Sequence, residues 1–319
     1  MTEVVAVLED GPEFEAMMCK IDAGFVKNGT KITARPLIAA REVSLKYGIA
    51  IPITDPVPGS APELKRYAAL SNGIQRWYKD AYGDRLNVDM SPGRVVLNLD
   101  GDLYQMTLLR FWGTGEIIVT RQFISPENDP RRGFRLNLVQ LIDHMTEPKA
   151  RTLSDKALRS MIELFPIGLA AAYHLEAGSA HPLIKIAQSD MKTAVSKLMD
   201  RGKHFGDSKW ATLQAAEKCF KASLDVRGGT PDRTHKLREL RDDLAKFGVT
   251  IATPSLIDAI QCSPSIRYGD EPCSMEEALA AHHAVLRLVV ELVVAGSWPG
   301  ARLAVRPLGT QAFQIIRTE

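Results

Sequence analysis

Between Ser208 and Phe247 two apolar stripes run at helical spacing on either side of one break, Gly228-Gly229-Thr230-Pro231. Trp210, Leu213, Ala216, Phe220 and Leu224 recur at steps of three and four, so they share one face of a helix. Gln214, Lys218, Lys221 and Asp225 occupy a polar face, and Glu217 precedes Lys221 by the favourable i,i+4 step. Asp207 or Ser208 is expected to cap this helix by accepting from its free N–H groups. The glycines and Pro231 stop it. Thr234 is expected to cap a second helix with the stripe Leu237, Leu240, Leu244 and Phe247, closed by Gly248. The stretch therefore reads as two amphipathic helices around a loop.

The rest of the chain divides by its period. Val4 to Leu8 reads as a short strand, and Glu13 to Phe25 and Pro36 to Tyr47 as short helices. The prolines between Ile51 and Gly59 mark a connector, and Pro62 to Tyr82 has helical spacing. Residues 86 to 123 then change to a period of two. Leu86, Val88 and Met90 alternate with polar residues, and two apolar runs flank the hairpin dipeptide Asp100-Gly101. Glu116 to Phe123 extends the pattern into an antiparallel meander. Leu136 to Met145 reads as helical or mixed, and Thr146 to Arg151 as the boundary between domains. Beyond it the chain is helical almost throughout, with Pro166 as a kink or break and Ser274-x-x-Glu277 as a capping box. Arg302 to Arg317 is expected to add a strand pair to the N-terminal sheet. The expected organisation is an α+β domain at 1–150, a helical domain at 151–300 and an extension at 301–319.

Charge and composition narrow the function. The net charge of +2 excludes a chain that is basic throughout, while leaving room for a local basic patch such as Arg131, Arg132 and Arg135. That loop is read as solvated. The apolar run from Val285 to Gly296 is broken by Arg287 and Glu291, so no membrane span is expected and no membrane partner is assigned. Met1 to Met17 has no basic leader region and carries acids early, which points to the cytoplasm. Cys262, Cys273, His282 and His283 match no zinc spacing, so no metal is assigned. Cys219 reads as a buried free thiol. Walker, dinucleotide, His-Glu-x-x-His and Gly-x-Ser-x-Gly signatures are absent, and no cofactor is assigned. Asp100-Gly101-Asp102 has the carboxylate spacing of a nucleotidyltransferase but lacks the upstream Gly-Ser, so it is read as a turn.

Ala216-Glu217-Lys218, Lys221, Thr234-His235-Lys236-Leu237 with Leu240, Arg267-Tyr268 and a capped helix from Ser274 carrying Ala278 and Ala281 together resemble the HEPN family. The resemblance spans Lys203 to Gly296, about a third of the chain. It implies an all-helical bundle. It also implies two kinds of function, since a shared fold hosts several. One is a self-associating module, a homodimer that binds nucleotide or RNA. The other is a divergent metal-independent endoribonuclease acting as a toxin or phage-defence effector.

The ribonuclease relatives resemble one another in an Arg, four to six intervening residues and then a His, paired across a homodimer. The His takes the proton from a 2′-hydroxyl and the Arg fork stabilises the phosphate. No His in this chain has that spacing; Arg227 to His235 leaves seven residues between. A site built from His235, Arg233 and Arg227 is therefore the candidate catalytic set, with Lys218, Lys221 and Arg267 as candidate ligand contacts. The missing spacing favours binding over catalysis. For His235 it favours a first-turn residue bonded locally, with a base or nucleotide contact as the sharper reading. Lys218 and Lys221 are expected to be solvated or ion-paired, Trp210 to be core, His282 to face the bundle and His283 to face outward.

Overall fold

The computed structural model describes residues 11–52, 61–110, 115–125, 128–129, 133–231, 234–299 and 313–317. It divides into two compact units, Met1–Asp89 and Met90–Glu319. The division falls well before the boundary expected near residue 150. The short helix α4 (Glu147–Arg151) puts Ala150 into the core of the second unit, so the chain does not separate there.

Among its described residues the first unit has three α-helices, α1 (Pro12–Lys27), α2 (Arg35–Tyr47) and α3 (Pro62–Tyr82). Phe14, Met18 and Phe25 of α1 pack with Ala39 and Val43 of α2 and Leu70, Ile74 and Tyr78 of α3. A polar link ties the same helices together. The Arg35 guanidinium donates to Asp22 at 3.1 Å and to the Tyr82 hydroxyl at 2.7 Å, and that hydroxyl donates to Asp22. The expected strand at Val4 to Leu8 and most of the Ile51–Gly59 connector lie outside the described residues. The alternation at Leu86, Val88 and Met90 builds no strand. A 3-10 turn takes Gly83–Leu86, and Val88 and Met90 are exposed, so nothing rewards a pleated face.

The second unit opens on the hairpin β1 (Arg94–Leu99) and β2 (Asp102–Thr107), paired antiparallel. Its two turn residues, Asp100 (φ 58°) and Gly101 (φ 101°), both take the left-handed conformation that a tight hairpin turn needs. The Asp100 carboxylate accepts from the backbone and hydroxyl of Ser154, which holds its carboxyl below the usual range. Asp100 thereby anchors the turn to the N-terminus of α5 (Asp155–Ala177), whose cap is Ser154. Between them, Gly168 lets α5 approach the hairpin: a Cβ there would meet Val95 Cγ2 at 2.3 Å. Helix α5 runs unbroken through Pro166.

The meander ends at β2. Strand β3 (Gly115–Val119) lies in a separate sheet of order β4-β5-β3-β6, where β5 (Gly133–Asn137) and β6 (Phe313–Arg317) flank it in parallel and β4 (Asn128–Asp129) is antiparallel to β5. Period two reports alternation, not partner or direction. The C-terminal segment thus supplies one strand of a sheet; 301–312 lies outside the described residues. In place of the mixed helical segment, Leu136 and Asn137 end β5, and a 3-10 turn at Leu138–Leu141 follows.

Helices α6 (Pro182–Leu198), α7 (Phe205–Val226), α8 (Leu237–Lys246), α9 (Ser255–Ile260) and α10 (Met275–Val294) complete the bundle. Helix α7 starts before its expected caps. Ser208 lies inside it, fully buried, and its hydroxyl donates to the Ala194 carbonyl at 2.8 Å. The capping box of α10 is complete, with Glu277 N–H donating to Ser274 Oγ at 3.1 Å and Ser274 N–H to the Glu277 carboxylate at 2.8 Å. The apolar surplus of α10 is used within this unit: Val285, Leu286, Leu288, Val289 and Leu292 are all buried in its main core.

Candidate functional site

The polar side of α7 carries a chain of ion pairs. Lys218 Nζ lies 2.8 Å from Asp190 of α6, and Lys221 Nζ donates to Glu217 Oε1 at 2.7 Å. Both lysines have 15% side-chain exposure, too little to be a free basic patch. Glu217 is buried, and its second oxygen, Oε2, lies 2.6 Å from His235 Nδ1. His235 does not open α8. It precedes the N-cap, Lys236, and its partner is a residue 18 positions earlier on another helix. Thr234 sits before the cap as well, accepting from Lys236 N–H at 3.1 Å and donating to Glu239 at 2.8 Å.

Three groups hold the imidazole. Glu217 fixes Nδ1. Gln261 fixes the backbone that follows, donating to the His235 carbonyl at 3.4 Å and accepting from Leu237 N–H at 2.9 Å. The ring of Trp210, half-buried against the core, stands 6.0 Å from the imidazole centroid at 54°. The His235 side chain remains 60% exposed against 8% for Glu217. A carboxylate only accepts, so Nδ1 donates to Glu217, and in the neutral imidazole Nε2 is left as an acceptor.

The arginines do not join this group. Arg227 caps the far end of α7 and donates to the carbonyls of Ala295 and Gly296 at 3.3 and 2.9 Å. Its ten-residue separation from Glu217 is about 15 Å along a helix axis. Arg267 is exposed on the 3-10 turn Pro264–Tyr268, its guanidinium 5.9 Å from the Tyr268 ring. No described hydrogen bond or ion pair joins it to His235. Arg233 lies outside the described residues, as do Arg131 and Arg132; Arg135 sits on β5, 3.5 Å from Glu116.

The paired histidines of α10 have a structural task. Fully buried His282 accepts from the Val96 N–H at 3.3 Å, and His283 donates to the Val96 carbonyl at 2.8 Å. His283 therefore turns back onto β1 instead of facing outward, because Val96 presents both backbone groups toward α10. Burial pushes both imidazoles down, His282 to about 3. Cys219 is buried and free, its thiol pushed up to about 12 by burial. Among the described residues no three His, Cys, Asp or Glu side chains converge as metal ligands.

A family model, the HEPN domain, matches residues 180–292. The match takes in α6 to α10, and so begins a helix earlier than the Lys203–Gly296 stretch whose motifs resemble the family. That added helix supplies Asp190, the partner of Lys218. No curated protein and no solved structure matches the chain. No helix among the described residues is long and apolar enough to cross a membrane. Sequence reasoning singled out His235 but missed Glu217 and Gln261 as its holders. The one signal was Glu217 itself, read as the i,i+4 partner of Lys221 and as part of the Ala-Glu-Lys motif of the family resemblance.

Proposed function

We propose that the HEPN domain is a nucleotide- or RNA-binding module whose ligand face is Trp210 and His235. The observation that carries this reading is the commitment of Arg227 to two backbone carbonyls at the other end of α7. Cleavage of a phosphodiester needs a base and a positioned cation at one phosphate. The base is held; Arg227 is engaged at the other end of α7, Lys218 is paired with Asp190, and Lys221 is taken up by the Glu217 carboxylate that holds the base. An aromatic face beside an exposed imidazole suits binding, because stacking on an aromatic ring serves any base. Wild type and His235→Ala should be compared for binding and cleavage of a mixed RNA pool without added metal. Weak binding lost in the variant, with the RNA intact, is the expected result. Cleavage by wild type that the variant loses would replace this reading.

That replacement is the second reading, a divergent endoribonuclease acting as toxin or defence effector. Its support is the Glu217–His235 bond, which leaves Nε2 free as a base.

The module is also proposed to self-associate. Val226 ends α7 and Val294 ends α10, and both are exposed. Arg227 bonds Ala295, which brings these two ends together. Phe247, also exposed, lies beside Gly229 at the same end, where a Cβ on the glycine would meet its ring at 2.9 Å. Three exposed apolar side chains grouped in this way favour a protein contact over solvent.

A further inference from the structure

We propose that Glu217 is a positioning residue that locks His235 as a hydrogen-bond acceptor, and that the face it creates takes a nucleotide whose base donates an exocyclic amino N–H to His235 Nε2 while covering the Trp210 indole. The ligand half of this inference rests on the nucleotide reading of the site; the role of Glu217 does not.

The polarity follows from the bonding order. Lys221 has only donors, and it occupies Glu217 Oε1 at 2.7 Å. The remaining oxygen, Oε2, can only accept, so the Nδ1 it meets at 2.6 Å must donate. A neutral imidazole that donates from Nδ1 accepts at Nε2. Free histidine in water exchanges between two tautomers and offers either polarity. Here a buried carboxylate fixes the ring, Gln261 fixes the backbone behind it, and 60% of the side chain faces solvent. In the neutral ring the second nitrogen, Nε2, therefore presents one polarity, that of an acceptor. A base amino group supplies the complementary donor, and the neighbouring indole supplies the surface on which the base stacks.

Replacing Glu217 by Gln inverts this polarity without changing its shape. Lys221 requires the amide oxygen, which leaves the amide NH2 against His235 Nδ1. Nδ1 must then accept, and the ring proton moves to Nε2.

The test is nitrogen-15 NMR of the imidazoles of the full chain, with His235 assigned from its loss in His235→Ala. Wild type is expected to carry the proton on Nδ1 and Glu217→Gln on Nε2. A wild-type proton on Nε2, or the same tautomer in both proteins, overturns the role of Glu217. The ligand arm titrates AMP, a short oligoadenylate and the monophosphate of purine riboside, which lacks the amino group. Wild type should bind the amino-bearing ligands roughly tenfold more tightly, the worth of one hydrogen bond. Glu217→Gln should lose that difference. AMP against oligoadenylate separates a free nucleotide from an RNA strand. Equal affinity for AMP and its purine counterpart in wild type overturns the ligand half. Binding of no probe removes the nucleotide reading and the ligand half together, while the tautomer still decides Glu217. If Glu217→Gln fails to fold, the wild-type tautomer and the wild-type AMP comparison decide both halves.

Discussion

Glu217 and His235 stand on different sides of the Gly228-Gly229 break, 18 residues apart in the chain and 2.6 Å apart in space. The contact is asymmetric, because the carboxylate is buried and the imidazole is exposed. The two residues should therefore respond very differently to truncation. His235→Ala leaves Glu217 with Lys221 and should change stability by less than about 0.5 kcal/mol. Glu217→Ala strands a part-buried Lys221 and opens a void, and should cost about 2 kcal/mol. Urea unfolding of both variants decides it. A His235→Ala loss as large as that of Glu217→Ala would mean the imidazole is part of the scaffold.

The Val96 contacts predict acid sensitivity. Burial depresses His282 to about 3 and depresses His283 too, with Arg287 adding to the latter effect. Unfolding returns each to an ordinary value of about 6.5. The unfolded chain then binds more protons, so the stability from neutral imidazoles is complete above that pH. It is lost as pH falls toward the folded value of His282. One such histidine contributes a slope of about 1.4 kcal/mol per pH unit in that window. Urea midpoints at pH 7.5 and 5 should show the fall. His282→Gln keeps an acceptor for Val96 without titrating and should flatten it. An unchanged slope in that variant would assign the acid loss elsewhere.

Gly168→Ala tests the seat of the hairpin on α5. In a free helix the added methyl gains about 1 kcal/mol over glycine. Here it lands 2.3 Å from Val95 Cγ2, and the stiff β-branched side chain cannot swing away. Overpacking of this kind costs about 1–3 kcal/mol, so a net loss is expected. A higher melting temperature would show that β1 moves freely against α5.

Self-association through the shared end of α7 and α10 predicts that wild type sediments as a dimer at tens of micromolar. Val294→Asp places a charge on an exposed side chain that the fold does not use, so the variant should stay folded and sediment as a monomer. A wild-type monomer at that concentration removes the dimer.

Local patterns were legible wherever neighbours in sequence decide the outcome. Pro62–Tyr82, the Asp100-Gly101 turn, the Ser274 box, the stripe of α7 and that of α8 as far as Leu244 follow from 3.6- or two-residue periods and from turn chemistry, while Phe247, the last of the expected α8 stripe, is exposed beyond the helix end. The HEPN resemblance rested on the same kind of signal. What the tertiary structure decided is which distant groups meet. Whether β3 joins β2 or the parallel pair β5 and β6 depends on chain closure, and its own residues carry no record of it. His283 faces inward because Val96, 187 residues away, offers a carbonyl. Helix period names Glu217 as a partner of Lys221 but says nothing of its second oxygen. Only the return of the chain after Pro231 brings His235 to it, because a carboxylate has two acceptors and one helix turn uses one.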